Sequence, residues 1–196
     1  MASKVEIINK SLTFLGSAPI TNINDESNNA RIMNRLYDTS LRSILSECLW
    51  NFAIKRKLLA VSTDTLDWYD PGVTIVYGRP SDCVRIFGVN NDNAIWREEG
   101  DYIVSDTVDL GIKYVQYIDN TSKFTSSFTE AFIDRLAYDA SFSILNNSKI
   151  TASLLEKYEK VSLPKARAEN AQTGAQQYIK DDAWELAKYG NTNLNA

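Results

Sequence analysis

The sequence predicts an α+β fold: an antiparallel-type four-helix scaffold with an antiparallel β domain inserted between helices 2 and 3. Three observations predict it. Apolar residues recur at three- and four-residue spacing over residues 5–15 and again over 30–48. At Trp50 that spacing gives way to alternation, and near Phe128 it returns. Two helical pairs divided by strands can share one bundle only if the strands form an insertion whose ends lie close together. The expected parts are 1–50 and 121–175 for the scaffold, 51–120 for the β domain and 176–196 for a polar tail.

Ser3 stands three residues before Glu6, the spacing of a capping box that satisfies two free N–H groups at a helix start. Val5, Ile8, Leu12 and Leu15 form the apolar stripe that follows. Gly16 occupies the favoured stop position and Pro19 blocks continuation. The polar stretch 22–29 is a connector. From about Ser27 the helical pattern resumes, with Ala30, Met33, Leu36, Tyr37, Leu41, Ile44, Leu45 and Cys48 on one stripe. Arg31, Arg35, Asp38, Arg42 and Glu47 fall on the other faces.

After Trp50, the residues Phe52, Ile54 and Leu58 alternate with polar ones as in a half-buried strand, and Lys55-Arg56-Lys57 reads as its solvated face. Turn chemistry fills 64–72, including Asp70-Pro71-Gly72. Strand-like runs follow at 73–77, 83–89, 94–97, 102–104 and 110–118. Their punctuation predicts an antiparallel meander, with a hairpin around Glu99-Gly100-Asp101. Arg79-Pro80-Ser81-Asp82-Cys83 opens one strand with Pro80 where a missing donor is tolerated.

Phe128, Phe132, Leu136, Ala140 and Ile144 then step by four, and Asn146-Asn147-Ser148 closes that helix. A fourth helix is expected from about Thr151, with Leu154, Leu155, Tyr158 and Val161 on one face. Pro164 must kink or split it, because the ring clashes with the carbonyl four residues back. Residues 165–175 are helix-prone and weakly apolar. Beyond Gly174 the chain is polar, with isolated Tyr178, Trp184, Leu186 and Tyr189. Such a segment buries too little surface to fold alone, so these four are expected to bind in a partner's groove.

A chain of 196 residues buries enough surface to fold without a disulfide or metal. Cys48 and Cys83 read as small buried hydrophobes; whether they lie close enough to pair is open. Ten Tyr and four Trp suit a large core and also protein contacts. A net charge of −4 and a pI near 5.0 disfavour binding of nucleic acid through its phosphates. The N-terminal stretch has no continuous apolar segment, so no membrane partner is expected and synthesis is expected in a cytoplasm.

Histidine is absent, which removes the commonest general base and catalytic-metal ligand. No phosphate-cradling glycine loop is present, and neither a cofactor nor a metal is implied. The enzymatic alternative is glycan hydrolysis by paired carboxylates, with Asp64, Asp67, Asp70, Glu98, Glu99 and Asp101 as candidates. Acidic residues are also common in turns for backbone reasons.

Several ordered elements resemble the tail tubular protein A family, the head-to-tail adaptor of short-tailed bacteriophages. They are Phe14-Leu15-Gly16-Ser17-Ala18-Pro19-Ile20, then Ala30-Arg31, then Cys48-Leu49-Trp50-Asn51-Phe52-Ala53. Pro80-Ser81-Asp82-Cys83-Val84-Arg85, Tyr114-Val115 and Phe128-Thr129-Glu130-Ala131-Phe132 follow, ending with Tyr158, Lys165-Ala166-Arg167 and Asn170-Ala171. The resemblance covers residues 4–175; the tail lies outside it and Pro164 departs from it. It implies a non-enzymatic structural virion protein at the head–tail junction, made in the host cytoplasm. That protein would form a homo-oligomeric ring, a dodecamer by family habit, between portal protein and tail nozzle protein. DNA would pass through the lumen without specific binding. A head-completion stopper of another virion type is the related alternative.

Overall fold

The computed structural model describes residues 2–173. Helix α1 (Lys4–Phe14) opens with the expected capping box: Ser3 Oγ accepts the Glu6 N–H at 3.2 Å and the Glu6 carboxylate accepts the Ser3 N–H at 2.7 Å. Gly16 adopts φ +63°, a left-handed conformation that other residues enter at a cost, and the helix ends there. Asn9 fixes the exit: its amide donates to the Ile20 carbonyl and accepts the Ile20 N–H. Helix α2 (Asn28–Glu47) is capped by Ser27 and buries Ala30, Met33, Tyr37, Leu41, Ile44 and Leu45. It stops one residue before Cys48, which is extended and half-buried instead of closing the buried stripe.

Helix α3 (Ser126–Leu145) packs against both α1 and α2 as well as the helical segments that follow it. Phe128, Ala131, Phe132, Leu136 and Ala140 are all fully buried, which a helix touched from several sides requires. Asn146 ends it in the left-handed region at φ 47°, and the Asn147 side chain caps α4 (Ser148–Lys157) three residues earlier than expected.

Around Pro164 the helical run divides into three consecutive segments without ending. A π-helical turn (Tyr158–Ser162) precedes α5 (Leu163–Gln172), and the Leu163 N–H donates to the Tyr158 carbonyl five residues back. The wider turn lets the helix continue past a residue that has no N–H to give. It also moves the buried face. Leu154, Tyr158, Ser162, Leu163 and Ala166 are buried, whereas Val161, expected on that face, is 58% exposed.

Between α2 and α3 in sequence lie six strands. They are β1 (Ile54–Leu58), β2 (Ile75–Gly78), β3 (Cys83–Val89), β4 (Trp96–Glu99), β5 (Tyr102–Ser105) and β6 (Gly111–Gln116). They form no meander. Two antiparallel three-stranded sheets, ordered β1-β6-β3 and β2-β5-β4, replace it. The connection 59–74 carries the chain to the second sheet, and β6 returns to the middle of the first. Burial suits that central place, because β6 has buried apolar residues for both faces. Ile112 and Tyr114 join the core between the sheets, while Val115 joins the helical core. Phe52 stands in a 3-10 turn (Asn51–Ala53) before β1 rather than in the strand. The β4–β5 hairpin is as expected: Glu99 faces Tyr102, and Gly100 takes φ +61° in the two-residue turn.

Candidate functional site: the scaffold junction and the charged edges of the strands

The junction at Trp50 is built from aromatic rings. Trp50 is 1% exposed, and its ring meets Phe128 edge-on at 4.8 Å while Nε1 donates to the Ile44 carbonyl at 2.8 Å. Phe52 packs on Phe128 at 4.7 Å, and Phe124 on Phe128 at 4.9 Å. Aromatic pairs of this geometry add to the area that they bury. Leu49-Trp50-Asn51-Phe52 is therefore a packed hinge between scaffold and strands.

Polar ties surround the hinge. The Asn51 N–H donates to Asn170 Oδ1 at 2.8 Å, Asn51 Nδ2 donates to the Asn170 carbonyl at 2.7 Å, and Asn170 Nδ2 donates to the Leu49 carbonyl at 2.6 Å. The end of α5 is thus fixed to the start of the strands.

Glu47, at the end of α2, is the hub of a second network. It accepts from Arg135 Nη1 at 3.1 Å and from the Tyr158 hydroxyl at 2.9 Å, with Arg167 Nη2 at 3.7 Å. Arg135 Nε also donates to Asp139, which accepts from Ser40 Oγ at 2.5 Å. Burial first, and then the Glu47 charge, push the Tyr158 hydroxyl well above the usual phenol range. Asp134, 3% exposed, accepts from Lys157 Nζ at 2.8 Å and from the Ser162 hydroxyl. Sequence reasoning assigned neither Glu47 nor Asp134 a role. Glu47 falls on a face away from the stripe, and nothing local signals that three later side chains, Arg135, Tyr158 and Arg167, converge there.

The cysteines have different surroundings. Cys83 is 3% exposed, and burial pushes its thiol up to about 11. Cys48 is half-buried, and both are free thiols.

The six candidate carboxylates divide into three that share a depression and three that do not. Asp67, Asp70 and Glu99 line one open depression beside Trp68, which is 73% exposed. Asp70 is paired with Arg97, Asp64 accepts from the Tyr102 hydroxyl, and Glu98 and Asp101 lie outside that depression. Acid–base pairs act best where water is excluded; this surface is open.

The basic run is a feature of the opposite sheet. In β1, Arg56 stands directly across from Lys113 of β6, and Lys55 across from Tyr114. Lys55 is held by Asp82 at 2.7 Å; Arg56, Lys57 and Lys113 have no carboxylate partner among the described residues. Hydrogen bonds from Lys55 and Tyr114 outweigh partial burial and hold the Asp82 carboxyl below its usual value.

Tyr178, Trp184, Leu186 and Tyr189, expected to bind a partner, lie outside the described residues. Among the described residues no helix is long and apolar enough to cross a membrane. No family model matches the sequence, and comparison with curated proteins finds no match.

Proposed function

We propose that the chain is a structural subunit of a phage virion, an adaptor that closes into a ring between the portal and the tail nozzle. The observation that carries this reading is how the conspicuous polar side chains are used. Glu47, Arg135, Asp139, Asn51 and Asn170 are committed to joining helices to one another and to the strands. The quoted sequence elements serve the same end: Gly16 stops α1, Trp50 forms the hinge, and Asp82, just before β3, holds Lys55 and Tyr114.

In this reading the architecture is a four-helix scaffold of antiparallel type with an inserted β domain. The β1–β6 pairing supports it, because Ile54 and Val115 are direct neighbours, so the chain enters and leaves the strands side by side. A rigid scaffold suits a subunit that must match two different neighbours, and the contact between copies is heterologous, closing by rotation. An acidic chain suits a conduit for DNA, since a negative lumen does not retain phosphates. The protein is non-enzymatic in this proposal, and the virion head–tail junction is its place.

Electron microscopy of the purified full chain mixed with portal protein tests the reading. A ring seated beneath the portal is the expected result. A chain that stays unbound and monomeric beside portal overturns it.

A further inference from the structure

We infer that the β1 edge of one copy binds the β4 edge and adjoining acidic loop of a second copy. The inference rests on the ring reading for the identity of its occupant, and on charge, topology and exposure for the surfaces themselves.

β1 ends its sheet, and it and its neighbour carry four cations on alternate faces: Lys55 and Lys57 on one, Arg56 and Lys113 on the other. Only Lys55 has a carboxylate partner among the described residues. Like charges placed directly across a ladder are destabilising, and Arg56 and Lys113 are so placed. At the end of the same strand Leu58 is 62% exposed, an apolar anchor inside a basic rim.

β4 ends the other sheet. Glu98 and Glu99 are exposed on it, Asp101 is exposed in the hairpin turn, and Asp67 flanks exposed Trp68 in the loop alongside. Ile95, just before β4, is half exposed. An apolar anchor inside an acidic rim is the complement of the first surface.

Topology sets the two apart. The isolated bridge between Val61 and Tyr77 links the end of β1 to β2, and the short loop 90–95 links β3 to β4. β1 and β4 are edge strands of different sheets, β1-β6-β3 and β2-β5-β4, and do not pair with each other. The two complementary patches lie on different sheets and form no ion pair with each other among the described residues. Between copies they make a head-to-tail contact that propagates, as a closing ring requires. Charge complementarity of this kind governs encounter rate and register, and salt weakens it.

The test uses the full-length chain at low ionic strength, followed by sedimentation velocity. One variant reverses the basic edge (Arg56→Glu, Lys57→Glu, Lys113→Glu) and another the acidic edge (Glu98→Lys, Glu99→Lys), each checked for native circular dichroism. The wild type is expected to self-associate, losing at least tenfold in affinity between low and high salt. Each variant alone should lose association by at least as much, and an equimolar mixture of the two should regain it. Carbodiimide coupling of labelled with unlabelled wild type should join Lys57 or Lys113 to Glu98 or Glu99 across copies. Association that is unchanged in both variants overturns the surface while leaving the ring standing. A wild type that stays monomeric and forms no such cross-links also overturns the surface, and the portal experiment then judges the ring by itself. Binding of a DNA duplex by the basic edge, lost in its variant while self-association is unchanged, overturns it in favour of a phosphate contact.

Discussion

Asn170 closes on Asn51 across the whole length of the strand region: Asn51 donates from its backbone and its side chain, and Asn170 donates onward to Leu49. Residues so distant in sequence meet because the rod of α4, the π turn and α5 runs back along α3 to the hinge.

Replacing Asn170 with Ala removes two of these three bonds and leaves the one accepted by the backbone carbonyl at position 170. The site is exposed, so water recovers part of the loss, and the expected cost is about 1–2 kcal/mol. Urea unfolding with an unchanged m-value should report it. A midpoint equal to that of the wild type would show that the clasp contributes nothing.

Glu47→Ala leaves the Arg135 charge and the Tyr158 hydroxyl without their shared acceptor. The expected destabilisation is about 2–3 kcal/mol, against about 1 kcal/mol for Tyr158→Phe. Because both act through one contact, the double variant should cost less than the two single losses together. Strict additivity in that cycle would rule out the hub.

Tyr37 offers the reverse case. It is fully buried against Phe132, at 5.1 Å between ring centroids, and its hydroxyl has no hydrogen-bond partner among the described residues. Tyr37→Phe keeps the ring and removes the uncompensated group. The fold should gain up to about 1 kcal/mol, seen as a higher melting temperature. A clear loss would mean that the hydroxyl has a partner after all.

The Lys55–Asp82–Tyr114 cluster has a signed dependence on pH. Asp82 titrates lower in the folded chain than its ordinary 3.8, so its contribution is present above that value and fades as pH falls through the depressed folded one. Lys55 titrates higher than 10.5, so its contribution is complete below that value and fades as pH rises through the raised one. Asp82→Asn should flatten the acid limb of stability below about pH 4 relative to wild type. Superposable acid limbs would exclude a role for this carboxylate.

The helices and their starts were legible because caps are local. Ser3 with Glu6, Ser27, Gly16 and Asn146 act within a few residues of themselves and stand where their spacing places them, whereas Asn147 starts α4 three residues before its expected beginning. The strands were legible one at a time, yet their order was not. Nothing around 110–118 says that β6 lies between β1 and β3, since pairing is decided by distant partners. The π turn was hidden for another reason. Pro164 announces a conflict in the helix but not its solution, and the solution moved Val161 out of the buried face. The polar hubs at Glu47 and Asp134 were illegible because their ligands come from three helices. The exposed basic run on β1 was readable, while its opposition to Lys113 appears only once the register is known.

The central position of α3 has a consequence for how the chain is made. Both α1 and α2 bury their stripes against a helix that begins at Ser126. During synthesis they leave the ribosome long before it, with Ile8, Leu12, Met33 and Leu41 uncovered. The strands in between are complete by Gln116 and can condense first. Until α3 is made, the nascent chain carries two helices whose apolar stripes have no cover, the stage at which chaperones or premature contact between neighbouring chains would act.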